Sequence, residues 1–447
     1  MVRLSGDRAE AILRTLVPAW PEDATSHKLR IARIQAPDGA LIDEALAVIM
    51  RGPKSYTGED VVELQCHGGP IILRRALDAA LEAGARMARP GEFTERAFLN
   101  GRLDLTQAEA VADLIEASSE AAHRLALEHL QGRLGQVISA QLERLVESMV
   151  LIESAIDFSH EEHIYAIEYE AIDTRLAAVE KELDRLIRRF DRGRRQREGV
   201  RVVVVGAVNA GKSTLFNTLY GDDRAIVTEI EGTTRDFLEE ELDLGGVAVR
   251  LIDTAGLRVT EDRVEAIGIE RSRDWAKRAD VIVWVLDQSA QLDESARDLL
   301  AQISRARANN EDERPVIIVS NKQDLPSGLS REDVELLEQF DAVIPTALGA
   351  PSGEQRGEEK LLEVLTEQAR ELTSSEGVLL SRARHLQHVR EAAAAIDRAR
   401  EAITLEVEHE LLAIDVREAL DALGRIVGQV TTDDILNRIF GEFCIGK

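Results

Sequence analysis

Cysteine is almost missing from this chain: Cys66 and Cys444 are the only two in 447 residues. Two thiols so far apart in sequence supply neither a disulfide framework nor a clustered thiolate metal site, and a reducing, cytoplasmic compartment is expected. Long apolar runs are also missing, so no membrane span is expected, and the N-terminus lacks the charged-then-apolar order of a signal peptide. Aromatic residues make up 4% of the chain, while Ala, Leu, Glu and Arg abound, a composition that leans helical. Positive charge is in deficit: 55 Lys and Arg face 82 Asp and Glu, a formal net charge of −27. That excludes a generally basic nucleic-acid-binding surface. An RNA partner would have to meet local basic patches or a surface lent by a second protein. Solubility or a salt-rich habitat would account for the same charge. With 44% hydrophobic residues, the length suits roughly two to four globular domains with ample core.

What is present is organised around Gly206-Ala-Val-Asn-Ala-Gly-Lys-Ser-Thr214. The apolar run Val202–Val205 precedes it and a helix-like stretch, Lys212 to Leu219, follows. In that setting G-x-x-x-x-G-K-[ST] is a P-loop. Gly206 and Gly211 let the backbone turn its N–H groups onto phosphate oxygens, Lys212 reaches the outer phosphates, and the Ser213 hydroxyl ligates Mg²⁺.

Strand-like runs at Arg201–Val205, Val247–Asp253, Val281–Asp287 and Pro315–Asn321 alternate with helical stretches from residue 200 to about 374. This predicts a doubly wound α/β domain with its ligand at the strand C-termini. Asp253-Thr254-Ala255-Gly256 closes one strand, where a carboxylate can hold a Mg²⁺-bound water and the Gly256 N–H can meet a γ-phosphate. Gly232-Thr233-Thr234-Arg-Asp236 lies where a switch loop would close, with Thr234 the second hydroxyl for Mg²⁺. Asn321-Lys322-Gln-Asp324 selects guanine, because one carboxylate accepts from its ring N–H and exocyclic amine together, and adenine has no such donor pair. A hydrolytic glutamine is not found after Asp-x-x-Gly; Leu257 stands there. Glu265 is the nearby carboxylate that could orient water, one more solvated acid being the plain alternative. A monovalent cation held partly by Asn209 could serve where no arginine finger is evident.

Flanking this domain the period is helical. Leu142, Leu145, Met149, Ile152 and Ile156 form one stripe; Ile172, Leu176, Val179, Leu183, Leu186 and Phe190 form another; Leu386, Val389, Ala393, Ile396 and Ile403 a third. They predict one helical bundle from residues 101–199 and 375–447, with the nucleotide domain (200–374) inserted. Seven arginines fall between Arg185 and Arg197, and complementing a helix C-terminus explains them better than contact with RNA. Residues 1–100 predict a small α+β domain: Leu29–Gln35 and Ala40–Met50 flank the turn Pro37-Asp38-Gly39, Asp60–Cys66 reads as a strand and Pro70–Glu82 as a helix. His67-Gly68-Gly69 is a plain turn or a point of close backbone approach to a ligand.

The chain resembles the tRNA-modification GTPase family MnmE (TrmE). The resemblance is carried by the P-loop with Asn209, by Ala225-Ile-Val-Thr-Glu-Ile-Glu-Gly-Thr-Thr-Arg-Asp236, by Asp253-Thr-Ala-Gly-Leu257 and by the terminal Cys444-Ile-Gly-Lys447. Tyr56-Thr-Gly-Glu-Asp-Val-Val-Glu-Leu-Gln65, Arg89-Pro-Gly-Glu-Phe-Thr-Glu-Arg-Ala-Phe-Leu-Asn100 and Leu103-Asp-Leu-Thr-Gln-Ala-Glu109 add to it. It implies an N-terminal domain that binds a tetrahydrofolate derivative (5-formyl- or 5,10-methylene-type) and dimerises, a central helical domain, and an inserted Ras-like GTPase domain. It further implies a homodimer working on tRNA with an FAD-dependent partner of the MnmG (GidA) type, in a heterotetramer or larger complex. Together they would place an aminomethyl or carboxymethylaminomethyl group on C5 of the wobble uridine.

By matching positions, the resemblance places GTP against Asn209, Ala210, Gly211, Lys212, Ser213 and Thr214, against Thr228, Glu229, Ile230, Glu231, Gly232, Thr233 and Thr234, and against Asp253, Thr254, Ala255 and Gly256. Asn321, Lys322 and Asp324, with Thr346, Ala347 and Leu348, would hold the base. K⁺ would be ligated by Asn209, Thr228, Ile230 and Thr233, Mg²⁺ by Ser213 and Thr234, and Glu265 would be the general base. Arg3, Glu63, Arg102 and Lys447 would contact the folate, with Cys444 either a thiol at that site or a buried small hydrophobe. The family pattern has a further strand and a Gly-rich turn ahead of this chain's first residue. Val208 stands where proline is usual, Thr346-Ala347-Leu348 replaces a Ser-Ala loop, and Arg102 replaces a lysine. The rival reading is a GTP-dependent assembly switch of the ribosome-biogenesis type, without folate chemistry; the Cys444–Lys447 tail and the Pro-Gly-Glu-Phe segment speak against it.

Overall fold

The computed structural model describes residues 1–157, 169–220, 239–253, 279–309, 312–350, 357–375, 377–405, 407, 409–441 and 443. Its first elements are β1 (Val2–Ser5), α1 (Ala9–Leu16), β2 (Arg30–Gln35), β3 (Leu41–Met50), β4 (Val61–Gln65), α2 (Pro70–Glu82) and α3 (Glu92–Leu99). Helices α4 (Leu105–Glu116), α5 (Glu120–Leu130), α6 (Arg133–Asp157), α7 (Tyr169–Arg188) and α8 (Phe190–Glu198) follow. Then come β5 (Val200–Val205), α9 (Lys212–Tyr220), β6 (Glu239–Asp243), β7 (Ala248–Asp253), β8 (Val281–Asp287), α10 (Glu294–Ala308), β9 (Val316–Asn321), α11 (Arg331–Leu337), β10 (Ala342–Pro345) and α12 (Glu358–Thr373). The chain closes with α13 (Ala383–Thr404), α14 (His409–Val427) and α15 (Asp433–Gly441). Two compact units result, one of residues 1–115, 127–184 and 387–447, the other of 116–126 and 185–386. Residues 116–126, 185–199 and 375–386 thus group with the nucleotide-domain residues.

In the first unit an antiparallel sheet of order β1-β4-β3-β2 alternates along each strand. Val2 and Leu4, Val62 and Leu64, Ala45, Ala47 and Ile49, Ala32 and Ile34 point to one face, where α1 and α2 cover them with Ile12, Leu13, Leu16, Ala76 and Ala80. The predicted hairpin is present: Ala36 N–H bonds Ala40 O at 2.9 Å and the Asp38 carboxylate accepts from Ala40 N at 2.9 Å. β1 and α1 are not among the elements expected above, although Ala9, Ile12, Leu13 and Leu16 of α1 recur at helical spacing and are all buried. Between β4 and α2, the backbone N–H and Nδ1 of His67 are both held by Asp43 at 2.8 and 3.0 Å.

The helical stripes behave as the period demands. Leu134, Ile138, Leu145 and Ile152 on α6, and Ile172, Leu176, Val179, Leu183 and Leu186 on α7, are fully buried, and α6 packs along α14. Two details differ. The second stripe is broken at Arg188, so that Phe190 opens α8 rather than continuing α7. On α13 the buried line is His385, Val389, Ala392, Ile396 and Ala399, turned one residue from the large-apolar stripe because alanines form the close-packed side.

The second unit is built on a six-stranded sheet of order β10-β9-β8-β5-β7-β6, parallel except for the antiparallel edge strand β6. β5 is buried on both faces, as a central strand of continuous valine should be. Val202 and Val204 face the side covered by α9 and α12, and Val203 and Val205 the side covered by α10 and α11. β6 and β10 escape the sequence pattern because one is a run of acids around a single leucine and the other is four residues ending in proline.

The seven-arginine segment is built into this unit. Arg194 and Arg195 donate to Asp280, 3% exposed, at 2.6 and 2.8 Å, and the backbone N–H of Arg201 takes its other oxygen at 3.0 Å. Arg185 and Arg188 lie in the last turn of α7 and Arg195 and Arg197 in that of α8, as expected, and Arg194 and Arg195 also satisfy a buried carboxylate at the start of β8.

In the first unit, Glu92 is buried on α3 and accepts from Arg86, from Arg89 N and from Arg96. The Arg86 hydrogen bond, opposed by burial and helped by Arg89 N and Arg96, lowers its carboxyl from 4.5 to about 2. A depressed carboxyl stabilises fully above its unfolded value, so this contribution is complete above about pH 4.5 and is lost as pH falls toward 2. Glu92→Gln is expected to flatten that acid limb in a denaturation series, and to lower stability at neutral pH by about 1–3 kcal/mol by leaving Arg86 without its anion.

Candidate functional site

The strand order reverses at β5: the chain leaves it for β7 and β6 on one side and returns to β8, β9 and β10 on the other. The crevice at the C-terminal ends of β5 and β8 is therefore where an open α/β sheet receives a ligand. The loop from Gly206 to Gly211 lies there. Gly206 has φ 149° and Gly211 φ 110°, and a Cβ would lie 2.1 Å from Val285 O at the first and 2.2 Å from Asn321 Nδ2 at the second. Asn209 adopts φ 63°, a conformation its short polar side chain tolerates better than most. Its side chain is exposed, as are those of Ser213 and Thr214 at the start of α9, while Ala210 is buried. Lys212 Nζ donates to Gly206 O and Ala207 O at 2.8 and 2.7 Å, a cation held over the loop whose amides would meet phosphate.

Asn321 joins the loops around this crevice. Its Nδ2 donates to Ala210 O at 2.9 Å, and its Oδ1 accepts from Thr346 Oγ1 at 3.2 Å and Leu348 N at 3.1 Å. Thr346, Ala347 and Leu348 are all buried, and Gln323 N donates to Thr346 O at 3.0 Å. Asp324 is exposed at the mouth. Lys322, at φ 65°, donates to Asp287 Oδ2. Burial pushes the Asp287 carboxyl up, but the Lys322 and Ser289 hydrogen bonds outweigh it and hold it below the ordinary aspartate value. No sequence motif marks Asp287 or Gln288, whose Nε2 donates to Leu325 O at 2.8 Å. The signal for Asp287 is positional, since it ends β8 directly opposite Asn321.

The structure brings together Asn209 to Thr214, Asn321 and Thr346 to Leu348, with Lys322 and Asp324 continuing from Asn321. Asp253 ends β7 beside Val204 of β5. Thr228, Glu229, Ile230, Glu231, Gly232, Thr233, Thr234, Thr254, Ala255, Gly256, Leu257, Glu265, Cys444 and Lys447 lie outside the described residues.

In the first unit Arg3 and Glu63 meet, with Nη2 to Oε1 at 2.8 Å. The guanidinium lies 5.6 Å from the ring centres of both Tyr56 and Phe93, a cation between two aromatic faces. Tyr56 OH and Thr94 Oγ1 are 2.9 Å apart, and Arg102 Nε reaches Ser55 O at 3.1 Å. The three described folate candidates thus converge on Ser55-Tyr56. Tyr56 and Phe93 join the site through the fold, each lying in a quoted motif but not singled out there.

Two family models match the chain: "GTP-binding protein TrmE N-terminus" over residues 1–102 and "MnmE helical domain" over 105–444. A protein of Syntrophotalea carbinolica named tRNA modification GTPase MnmE is 42% identical, covering 100% of this chain and 96% of that protein. One of the same name from Salinibacter ruber is 40% identical over 99% of this chain and 97% of its own length. Among solved structures, a variant of Aquifex aeolicus Era bound to GDP.AlF4- is similar over 44% of this chain and 66% of its own, at 20% identity and a TM-score of 0.28, too low to bear on the fold. Among the described residues no helix is long and apolar enough to cross a membrane, and no group of His, Cys, Asp and Glu has metal-binding geometry.

Asn321→Ala leaves Ala210 O, Thr346 and Leu348 N without their shared partner. Guanine-nucleotide affinity measured by calorimetry is expected to fall about 10- to 100-fold, which is about 1.4–2.8 kcal/mol.

Proposed function

The chain belongs to the MnmE family of tRNA modification GTPases, and from that premise we propose that it binds and hydrolyses GTP in the modification of tRNA. The observation that carries the reading is the Asn321 bridge, which ties a P-loop to a base-binding loop in one crevice. The loop amides from Asn209 to Thr214 receive phosphate oxygens, and Lys212 exchanges the Gly206 and Ala207 carbonyls for the outer phosphates. Asp324, exposed beside Asn321, accepts from the two donors of guanine.

Ser213 and Thr234 would hold Mg²⁺, and Asn209, Thr228, Ile230 and Thr233 would hold K⁺. The exposed Ser213 hydroxyl in the first turn of α9 and the exposed Asn209 amide at the loop tip suit those cations. When bound, the two ions neutralise charge building on the phosphate oxygens. Glu265 orients and deprotonates the attacking water, the task Leu257 cannot perform.

Arg3, steadied by Glu63 and by the Tyr56 and Phe93 faces, would with Arg102 and Lys447 bind a 5-formyl- or 5,10-methylene-type tetrahydrofolate derivative, whose chemistry is one-carbon donation. A cation between aromatic rings suits a flat, carboxylate-bearing ligand. The finer reading is a homodimer of three-part chains (1–100, 101–199 with 375–447, and 200–374). It acts with an MnmG-type FAD protein on C5 of the wobble uridine, in the cytoplasm, and the partner supplies most of the tRNA surface.

GTP turnover in matched KCl and NaCl tests the cation: fast hydrolysis in KCl and little in NaCl is expected, and equal rates remove K⁺ from the mechanism. Glu265→Ala is expected to keep GTP affinity and lose hydrolysis by at least about 100-fold; an active variant removes Glu265. Calorimetric titration with tetrahydrofolate separates this reading from an assembly switch, which would bind GTP and no folate.

A further inference from the structure

Residues 118–122 lie far from the nucleotide motifs in sequence, yet Ala121 is buried in the same core as Val202, Leu242, Leu244 and Val249. What they touch is the β6–β7 hairpin. Leu244-Gly245-Gly246-Val247 closes it, with φ 65° and 87° at the two glycines, the geometry of a tight two-residue hairpin turn. Gly246 O accepts from Ala121 N at 3.0 Å, and the Ser118 hydroxyl donates to the Glu241 carboxylate. On the other side Arg370 Nη2 reaches Gly245 O at 3.4 Å.

The start of α5 depends on this contact. First-turn amides of a helix have no partner within it. Ser119 Oγ satisfies Ala122 N at 3.2 Å, and the Gly246 carbonyl satisfies Ala121 N. The turn of a hairpin in the nucleotide fold therefore completes the N-terminus of a helix from elsewhere in the chain.

The hairpin's far end is at the nucleotide. β7 runs from the turn to Asp253, a length of about 20 Å, and lies beside β5, whose C-terminal end opens the P-loop. β6 begins at Glu239, five residues after Thr234 in the sequence. The ladder pairs Glu241 with Arg250 and Leu242 with Val249, so the two strands move as one body. A shift imposed on the hairpin from its nucleotide end must be resisted by the Ser118 and Ala121 bonds or must break both.

We propose that Ser118 and Ala121 are positioning residues for the GTPase reaction: they fix the β6–β7 hairpin, and through it Asp253, and they pass the state of the nucleotide to the first turn of α5. This rests on the GTPase reading above. Exchange of the Ala121 amide reports the contact directly, because that amide is free only when the hairpin lets go.

The test is hydrogen exchange of residues 118–126 in the full chain, without nucleotide, with GDP and with a non-hydrolysable GTP analogue, beside GTPase kinetics of Ser118→Ala, Glu241→Ala and Glu241→Gln. Exchange in this segment is expected to differ at least about threefold between GDP and GTP-analogue states. Ser118→Ala and Glu241→Ala are expected to lower kcat about three- to tenfold with KM for GTP held within about twofold, and Glu241→Gln, which still accepts from Ser118, restores kcat. Exchange that is the same in both states, or variants that lose thermal stability with kcat unchanged, overturns the proposal. Absence of GTP binding in the unmodified chain overturns the GTPase reading itself; binding and turnover with invariant exchange overturns the relay alone.

Discussion

One buried side-chain amide holds the nucleotide crevice together. Asn321 ends a strand whose six residues are all buried, and its amide has both a donor and an acceptor to satisfy away from water. Leaving either unpaired costs of order 1–3 kcal/mol, so the groups that satisfy them are fixed: the P-loop carbonyl of Ala210 on one side, Thr346 and Leu348 on the other. An apolar residue at 321 could pack there, but it could not set the distance between a phosphate loop and a base loop. Asp324, three residues on, inherits its position from this bridge.

The same logic recurs where β8 begins. Asp280, 3% exposed, accepts there from Arg194, Arg195 and the Arg201 N–H, so its buried oxygens are paired. That ties α8 to the two central strands from the end opposite the ligand crevice. β5 is thus held at its start by Asp280 and α8, and at its finish the loop it leads into is held by Asn321.

The sequence pattern makes the buried parts legible, and the parts that rely on partners are harder to read. β5, β7, β8 and β9 announce themselves because strands covered on both faces must be continuously apolar. Gly206, Lys212, Asn321 and Asp324 announce themselves because phosphate and guanine restrict the residues that can meet them. β6 cannot be seen, since three adjacent glutamates form a strand only when β7 is there to pair with. Asp287 carries no motif; its place opposite Asn321 is a matter of register. On α13 Val389 and Ile396 of the expected stripe are buried, but His385, Ala392 and Ala399 take the places expected of Leu386, Ala393 and Ile403. Tyr56 and Phe93 escape notice as companions of Arg3 because the residues that flank a cation in space are 53 and 90 positions away in the chain.

The arginine-rich segment shows why charge counted along a sequence misleads about surfaces. Arg194 and Arg195 are taken up by Asp280, and Arg197 and Arg201 lie against Glu198. Arg185, Arg188 and Arg189 have interactions of their own. Much of this run of positive charge is therefore paired with carboxylates, though Arg185, Arg188 and Arg192 are exposed, and it belongs to a molecule of net charge −27. A polyanion approaching that surface loses more to repulsion than isolated cations return. In the proposed function, contact with tRNA therefore rests on a few local positions or on a surface lent by a second protein.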